Sequence, residues 1–212
     1  MNRLLRSSAR RIRSAQPADN VRELPGGTQL DDATLVERAC QGDRWAEEAL
    51  YYRHVSYIMG MVTRCLGNRE EAEDVVQDTF AIGLDRLETV RQPQAVRGWF
   101  AQIAIRQVRR RLRRAKLVAA IGLGPSPDSI DLDELASHDS DAETRADLAA
   151  VGRILAAMPT NDRIAWTLRY IEGEPLDEVA RFCGCSLATA KRRISAASAQ
   201  LQLHLGTIAE AP

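Results

Sequence analysis

The sequence predicts an all-α protein of two small helical domains joined by a flexible acidic linker, and three observations predict it. Apolar residues recur three and four apart along most of the chain. No period-two alternation of useful length is found anywhere. A stretch rich in Gly, Pro, Asp and Ser at 122–140 separates one helical block from the next.

Residues 1–30 contain Pro17, Pro25, Gly26 and Gly27 and read as a flexible basic arm. Asp31 or Asp32 is placed to cap a helix through Cys40. Gly42-Asp43 breaks it, and Trp45 to Leu66 continues as a long amphipathic helix up to the turn Gly67-Asn68. Arg69 to about Leu87 is the next helix, with Val76, Phe80, Leu84 and Leu87 on one stripe. Gln92-Pro93 ends that run, and Val96 to Lys116 is the last helix of a first domain spanning 31–117. The linker is assigned to 118–142 and a second helical domain to 143–206, with Pro159 splitting its helices.

A chain of 212 residues is long enough for two small domains or one medium one. The formal net charge of +0 conceals segregation. Arg3, Arg6, Arg10, Arg11, Arg13 and Arg22 cluster at the N-terminus. Arg91, Arg97, Arg106, Arg109, Arg110, Arg111, Arg113, Arg114 and Lys116 fill 91–116 with no acid among them. Asp128, Asp131, Asp133, Glu134, Asp139, Asp141, Glu143 and Asp147 dominate 128–147. Basic blocks of this kind suit nucleic acid or an anionic surface.

Several function classes have no support. No apolar run approaches the ~20 residues of a membrane span, so no membrane insertion is expected. The N-terminus lacks the apolar core of a secretory signal; it has some likeness to an organellar transit peptide, but a basic arm and a cytoplasmic protein are the expectation. Cys40 and Cys65 are isolated, and Cys183 and Cys185 have no second pair and no nearby His, so small buried thiols in a reducing compartment are expected rather than a metal site. His54, His138 and His204 lie far apart, and no nucleophile–base set or Gly-rich phosphate loop is present. No catalytic residue, metal or cofactor is assigned, and the chain is not expected to be an enzyme.

The most informative stretch is Glu172 to Leu201, EGEPLDEVARFCGCSLATAKRRISAASAQL. Pro175 suits a first helical position, Gly184 can take the left-handed conformation that ends a helix, and Ser186 can cap the next. The first helix turns Leu176, Val179, Ala180 and Cys183 inward; the second does so with Leu187, Ala190, Ile194, Ala197, Leu201 and Leu205. Ser186, Ala188, Thr189, Lys191, Arg192, Arg193 and Ser195 remain as DNA-facing candidates. This is the sequence form of a helix-turn-helix, although an amphipathic hairpin with a solvated basic face has the same local pattern.

Four segments in order resemble bacterial sigma-70 family RNA polymerase sigma factors of the extracytoplasmic-function (ECF) type. GDRWAEEALYYRHVSYIMGMVTRCLGN (42–68) is similar to the opening helices of their sigma-two domain. REEAEDVVQDTF (69–80) is similar to the acidic helix that docks on the polymerase clamp, VRGWFAQIAIRQVRRRLRR (96–114) to the promoter-melting and minus-ten-reading helix, and 158–194 to the sigma-four domain that reads the minus-thirty-five element. The resemblance covers about 32–116 and 143–205. It implies core RNA polymerase as partner, through the beta-prime clamp helices and beta flap, together with promoter DNA and an anti-sigma factor.

Carried over residue by residue, the resemblance makes Asp74, Val75, Gln77, Asp78 and Phe80 the polymerase-binding patch. It makes Arg97, Trp99, Arg106, Arg109, Arg110, Arg113 and Arg114 the DNA-binding set of the first domain. Trp99 also belongs to that helix's inward face, with Ile103, Val108 and Leu112. The chain departs from the family in three places. Arg106 and Arg110 stand where ECF members often have Asn and Asp, which favours phosphate affinity over base readout. Gly83-Leu84 stands where Ala-Trp is frequent, and SAASAQLQ after Arg193 is poorer in Arg and Lys. The different-class alternative is a helix-turn-helix regulator that does not recruit polymerase; the acidic 69–80 helix would be superfluous to it.

Overall fold

The computed structural model describes residues 30–121 and 151–209, with side chains through 203. The assigned basic arm, apart from Leu30, lies outside the described residues, as do positions 122–142 of the assigned linker. Helix α1 spans Asp32–Cys40, α2 Arg44–Leu66, α3 Arg69–Asp85 and α4 Val96–Ala120. Two 3-10 turns, Leu87–Thr89 and Pro93–Ala95, lie between α3 and α4. In the second half α5 runs through 151–157, α6 is Thr160–Trp166, α7 Leu176–Cys183 and α8 Leu187–Ala209. Among the described residues there is no strand.

The helix starts follow from short polar side chains. The Asp31 carboxylate accepts from the Thr34 amide at 2.8 Å, Asp43 from the Trp45 amide at 3.0 Å, and Asn68 from the Glu71 amide at 2.8 Å. Each satisfies one of the donors that a first helical turn leaves unpaired. Helix α4 has no side-chain cap; the turn at Pro93–Ala95 leads directly into it. It continues past Lys116 through Ala120, so the first positions assigned to the linker are helical. Pro175 is the residue just before α7 rather than its first helical residue.

A core of Leu35, Leu50, Ile58, Met61, Val76, Phe80, Phe100 and Ile105 joins α1 to α4. Helices α3 and α4 approach closely along it: a Cβ on Gly83 would lie 2.4 Å from Phe100 Cε1. A second cluster, Val151, Leu155, Met158, Trp166, Ile171, Ala197 and Leu201, holds α5, α6 and α8 together. The first core does not stop at the domain boundary. Ile164, Leu168, Val179, Phe182 and Ile194 of the second half belong to it, so the two halves are packed against each other along one face.

After α6 the backbone widens into a π-turn at Thr167–Ile171, closed by the Glu172 amide donating to the Thr167 carbonyl at 3.0 Å. That turn delivers Glu172 and Glu174 to the surface facing α2, where both find partners.

Candidate functional site

Three surfaces carry the assigned residues. The first is the acidic face of α3. Ala72, Val75, Val76, Thr79, Phe80 and Gly83 are buried and form its inner stripe. Burying side chains the size of Val and Phe contributes roughly 1.5–3 kcal/mol each, which fixes the helix on α2 and α4. Val75 and Phe80, assigned to the polymerase patch, are thus core residues, 3% exposed each. Their spacing of i, i+3, i+4, i+7, i+8 with Ala72 was the available signal. Asp74, Gln77 and Asp78 face outward. Asp74 is already engaged: Arg111 of α4 donates to its carboxylate at 2.9 Å and lies 3.7 Å from Glu71.

The second surface is the basic run of α4. Arg106, Arg110, Arg113 and Arg114 are exposed, as is Arg97, which stacks over the Tyr57 ring at 4.8 Å. Arg109 differs. It is half-buried and its Nη2 donates to the Cys183 carbonyl at 2.8 Å, inside the turn of the second half. Trp99 is half-buried, packed on the core and edge-on to Phe100 at 5.5 Å, so its inward role is the one the fold realises.

The third surface is the helix-turn-helix. Gly184 takes φ +59, the left-handed region an L side chain rarely adopts, and ends α7. Ser186 Oγ accepts from the Thr189 amide at 3.2 Å and sits 2.9 Å from Thr189 Oγ1. These two hydroxyls therefore serve first as the cap of α8. Ala188, Lys191, Arg192 and Ser195 are exposed on one side of the helix. Arg193 is not on that open face: it is half-buried, with Nη1 enclosed and without a hydrogen-bond partner. Leu187, placed on the inner stripe by spacing, is 45% exposed, and Ala190, Ile194, Ala197 and Leu201 do the packing. The Leu205 side chain is outside the described set. Phe182, not singled out from the sequence, is buried beside Cys183.

Sequence reasoning did not find the seam between the halves. Arg64 near the end of α2 donates through Nη2 to Glu172 Oε2 at 2.8 Å and through Nε to Oε1, and the side chains are only 11% and 4% exposed. Tyr57 donates its hydroxyl to Glu174 at 2.7 Å. Arg163, 5% exposed, donates to the Cys65 carbonyl at 2.6 Å at the C-terminal end of α2. Burial without a carboxylate partner pulls its guanidinium down to about 10. The Cys65 thiol beneath it is fully enclosed and pushed up to about 12, by burial first and then by the charge of Glu172. Beside this seam lies a cleft of about 690 Å³, lined among others by His54, Tyr57, Gln94, Arg97, Glu174 and Arg181. Among the described residues no group of three His, Cys, Asp or Glu is arranged to hold a metal ion, and no helix is long and apolar enough to cross a membrane.

Comparison with known proteins falls on the same two halves. The model of sigma-70 region 2 matches residues 50–118, and the model of sigma-70 region 4 matches 148–201. The RNA polymerase sigma-H factor of Pseudomonas aeruginosa is 29% identical over 179 residues, which cover 79% of this chain and 90% of that protein. The ECF RNA polymerase sigma factor SigM of Mycobacterium tuberculosis is 28% identical over 181 residues, covering 85% of this chain and 88% of its own. Among solved structures, CnrH in complex with the cytosolic domain of CnrY superposes with a TM-score of 0.57 at 25% identity, covering 85% of this chain and 99% of that one. The sigma factor RpoE of Bartonella quintana, solved with the anti-sigma factor NepR, shares the fold with a TM-score of 0.56 at 20% identity, covering 75% of this chain and 96% of that one. With the acidic helix and basic run inside one matched region and the helix-turn-helix inside the other, the chain belongs to the sigma-70 family of RNA polymerase sigma factors, as a member of its ECF type.

Proposed function

We propose that this sigma factor divides its work among the three surfaces. Asp74, Gln77 and Asp78 on α3 meet basic residues of the core polymerase clamp, while Val75 and Phe80 hold that helix rigidly on its own domain. An acidic face on a rigid helix favours fast, oriented encounter with a basic partner. Arg106, Arg110, Arg113 and Arg114 of α4 follow the phosphates of the melted strand around the minus-ten element. Ala188, Lys191, Arg192 and Ser195 of α8 enter the major groove at the minus-thirty-five element. The chain brings no chemistry of its own on this reading; the polymerase makes the bonds. An anti-sigma factor is included as a partner on the precedent of the solved complex of RpoE with NepR.

The observation that carries this reading is the outward placement of Lys191 and Arg192 beyond a glycine turn capped by Ser186. The test is reconstitution. Core polymerase with this chain should give a stable complex and promoter-dependent transcripts, and core polymerase alone should not. A protein that binds promoter DNA but never associates with core polymerase would be a plain helix-turn-helix regulator.

A further inference from the structure

We propose that Cys183 and Cys185, the thiols on either side of the helix-turn-helix glycine, form a reversible oxidation site, and that a disulfide between them switches off reading of the upstream element by α8. The role given to α8 rests on the sigma-factor reading; the bridge itself does not. The backbone already suits the bond. Gly184 stands at φ 59, ψ 46. Helical values of either hand bring the flanking Cα atoms to ~5.4 Å, the chord of two steps at ~1.5 Å rise and ~2.3 Å radius. A disulfide spans Cα separations of about 4.4–6.8 Å. An extended residue at 184 would hold the two Cα atoms ~7 Å apart.

The two side chains also share a side. The Cys185 N–H donates to the Ala180 carbonyl at 3.0 Å, and the Gly184 N–H to the Arg181 carbonyl at 3.1 Å. This closing pattern lays the residue after the glycine over the one five positions back, here Cys185 over Ala180. Cys183 lies three positions after Ala180 on α7, and so on the same face. Cys183 is buried in the first core, and Cys185 packs half-buried against it.

The two thiols have different parts in the chemistry. Cys185 is the one that a peroxide reaches. Its thiolate attacks one peroxide oxygen, hydroxide leaves, and a sulfenic acid forms. The Cys183 sulfur then attacks the Cys185 sulfur; its proton and the sulfenic hydroxyl leave as water. Two thiols are oxidised by two electrons, and one peroxide is reduced to two waters. Burial foremost, and the Cys185 charge next, push the Cys183 thiol up to about 11, so it does not react first. Arg109 and Arg193 oppose that shift, and each has a buried guanidinium nitrogen without a hydrogen-bond partner. Their charge favours the thiolate as Cys183 attacks. A ring with one intervening residue is strained, and strained disulfides are the readily reduced, regulatory ones. Closing it draws Cys185 off Ala180 and pulls on Ser186, whose hydroxyl caps α8. The start of α8, with Ala188, Lys191 and Arg192, shifts with it.

The experiment oxidises the full chain with hydrogen peroxide, removes the peroxide with catalase, and then adds core polymerase and promoter DNA. The tryptic peptide 182–191, FCGCSLATAK, contains both cysteines, and Cys65 falls in a different peptide. That peptide should lose two hydrogens. Promoter-dependent transcription should fall by about tenfold or more, as expected for loss of at least one good base contact. Dithiothreitol should restore both, which needs no variant. Cys185→Ser should form no bridge and keep its transcription after peroxide. The proposal is overturned if the peptide keeps its hydrogens, if Cys183 is found joined to Cys65 or Cys40 instead, or if the bridged chain transcribes like the reduced one. Absence of polymerase-dependent transcripts from the reduced chain, with the bridge still seen by mass, would overturn the sigma-factor reading and leave the oxidation site standing.

Discussion

Gly83 and Phe100 fix how closely α3 and α4 approach: a Cβ at position 83 would lie 2.4 Å from Phe100 Cε1 and 2.8 Å from its Cδ1. A Phe ring this deep in the core, at 0% exposure, has no open side to move into. The glycine that helix propensity would mark as a weak point of α3 is a requirement of helix packing.

Gly83→Ala should therefore destabilise the protein. Helix propensity alone would reward the change by up to ~1 kcal/mol. Overpacking against Phe100 should cost about 1–3 kcal/mol and reverse the sign. Chemical denaturation of the two proteins decides it: a variant as stable as the parent, or more so, would show that the ring can yield.

The same pair illustrates what was legible in the sequence. Helix ends were, because Asp31, Asp43, Asn68 and Ser186 cap through bonds spanning two or three residues. The outward side of the acidic helix is legible too; Val75 and Phe80 are buried on its inner stripe, and spacing alone does not tell an apolar residue facing the chain's own core from one facing a partner. The seam was not legible. Arg64 with Glu172 and Tyr57 with Glu174 are separated by 108 and 117 residues, and no local period brings such pairs together. Arg193 is a related case: a basic residue among basic residues reads as exposed, yet in the fold it is half-buried and lies within reach of the Asp162 charge.

His54 should make stability fall on mild acidification. Its ring is 6% exposed, with Nε2 3.3 Å from Asp32 Oδ1. Burial is the largest influence and lowers its pKa; Asp32 opposes this without cancelling it. The unfolded chain then takes up its proton first, near pH 6.5, so the contribution is complete above that pH and is lost as pH falls toward the lowered folded value. Urea unfolding at pH 7.5 and 5.5 should show a larger drop for the wild type than for His54→Gln. Equal drops would mean that Asp32 holds the ring charged in the folded state.

Asp74→Lys/Asp78→Lys should abolish the complex with core polymerase and leave helical content unchanged. Both carboxylates point to solvent, so the core beneath is not disturbed. The ion pair lost with Arg111 is mostly solvent-screened, with Asp74 71% exposed, and such pairs contribute about 0–1 kcal/mol. Co-sedimentation with core polymerase and circular dichroism read the two halves of the claim. Wild-type affinity in the double variant would remove α3 from the polymerase interface.

The two DNA-facing helices should respond differently to loss of one arginine. Arg113 is exposed in a run with Arg109, Arg110, Arg111 and Arg114 and no acid nearby in sequence, so its contribution is charge delivered to phosphate. Arg113→Ala should weaken binding to many promoters alike and lower the salt slope by roughly 0.7–0.9. Arg192 is exposed in the second turn of α8, on the side that also carries Ala188 and Ser195. Small neighbours leave room for its guanidinium to reach a base edge, and a bidentate contact with guanine discriminates by about 1–3 kcal/mol. Arg192→Ala should thus narrow the gap between cognate and mutated upstream elements by that amount, measured with the polymerase complex at fixed salt. Should it weaken every upstream sequence equally, Arg192 touches only phosphate, and sequence choice at that element comes from the other exposed residues of α8.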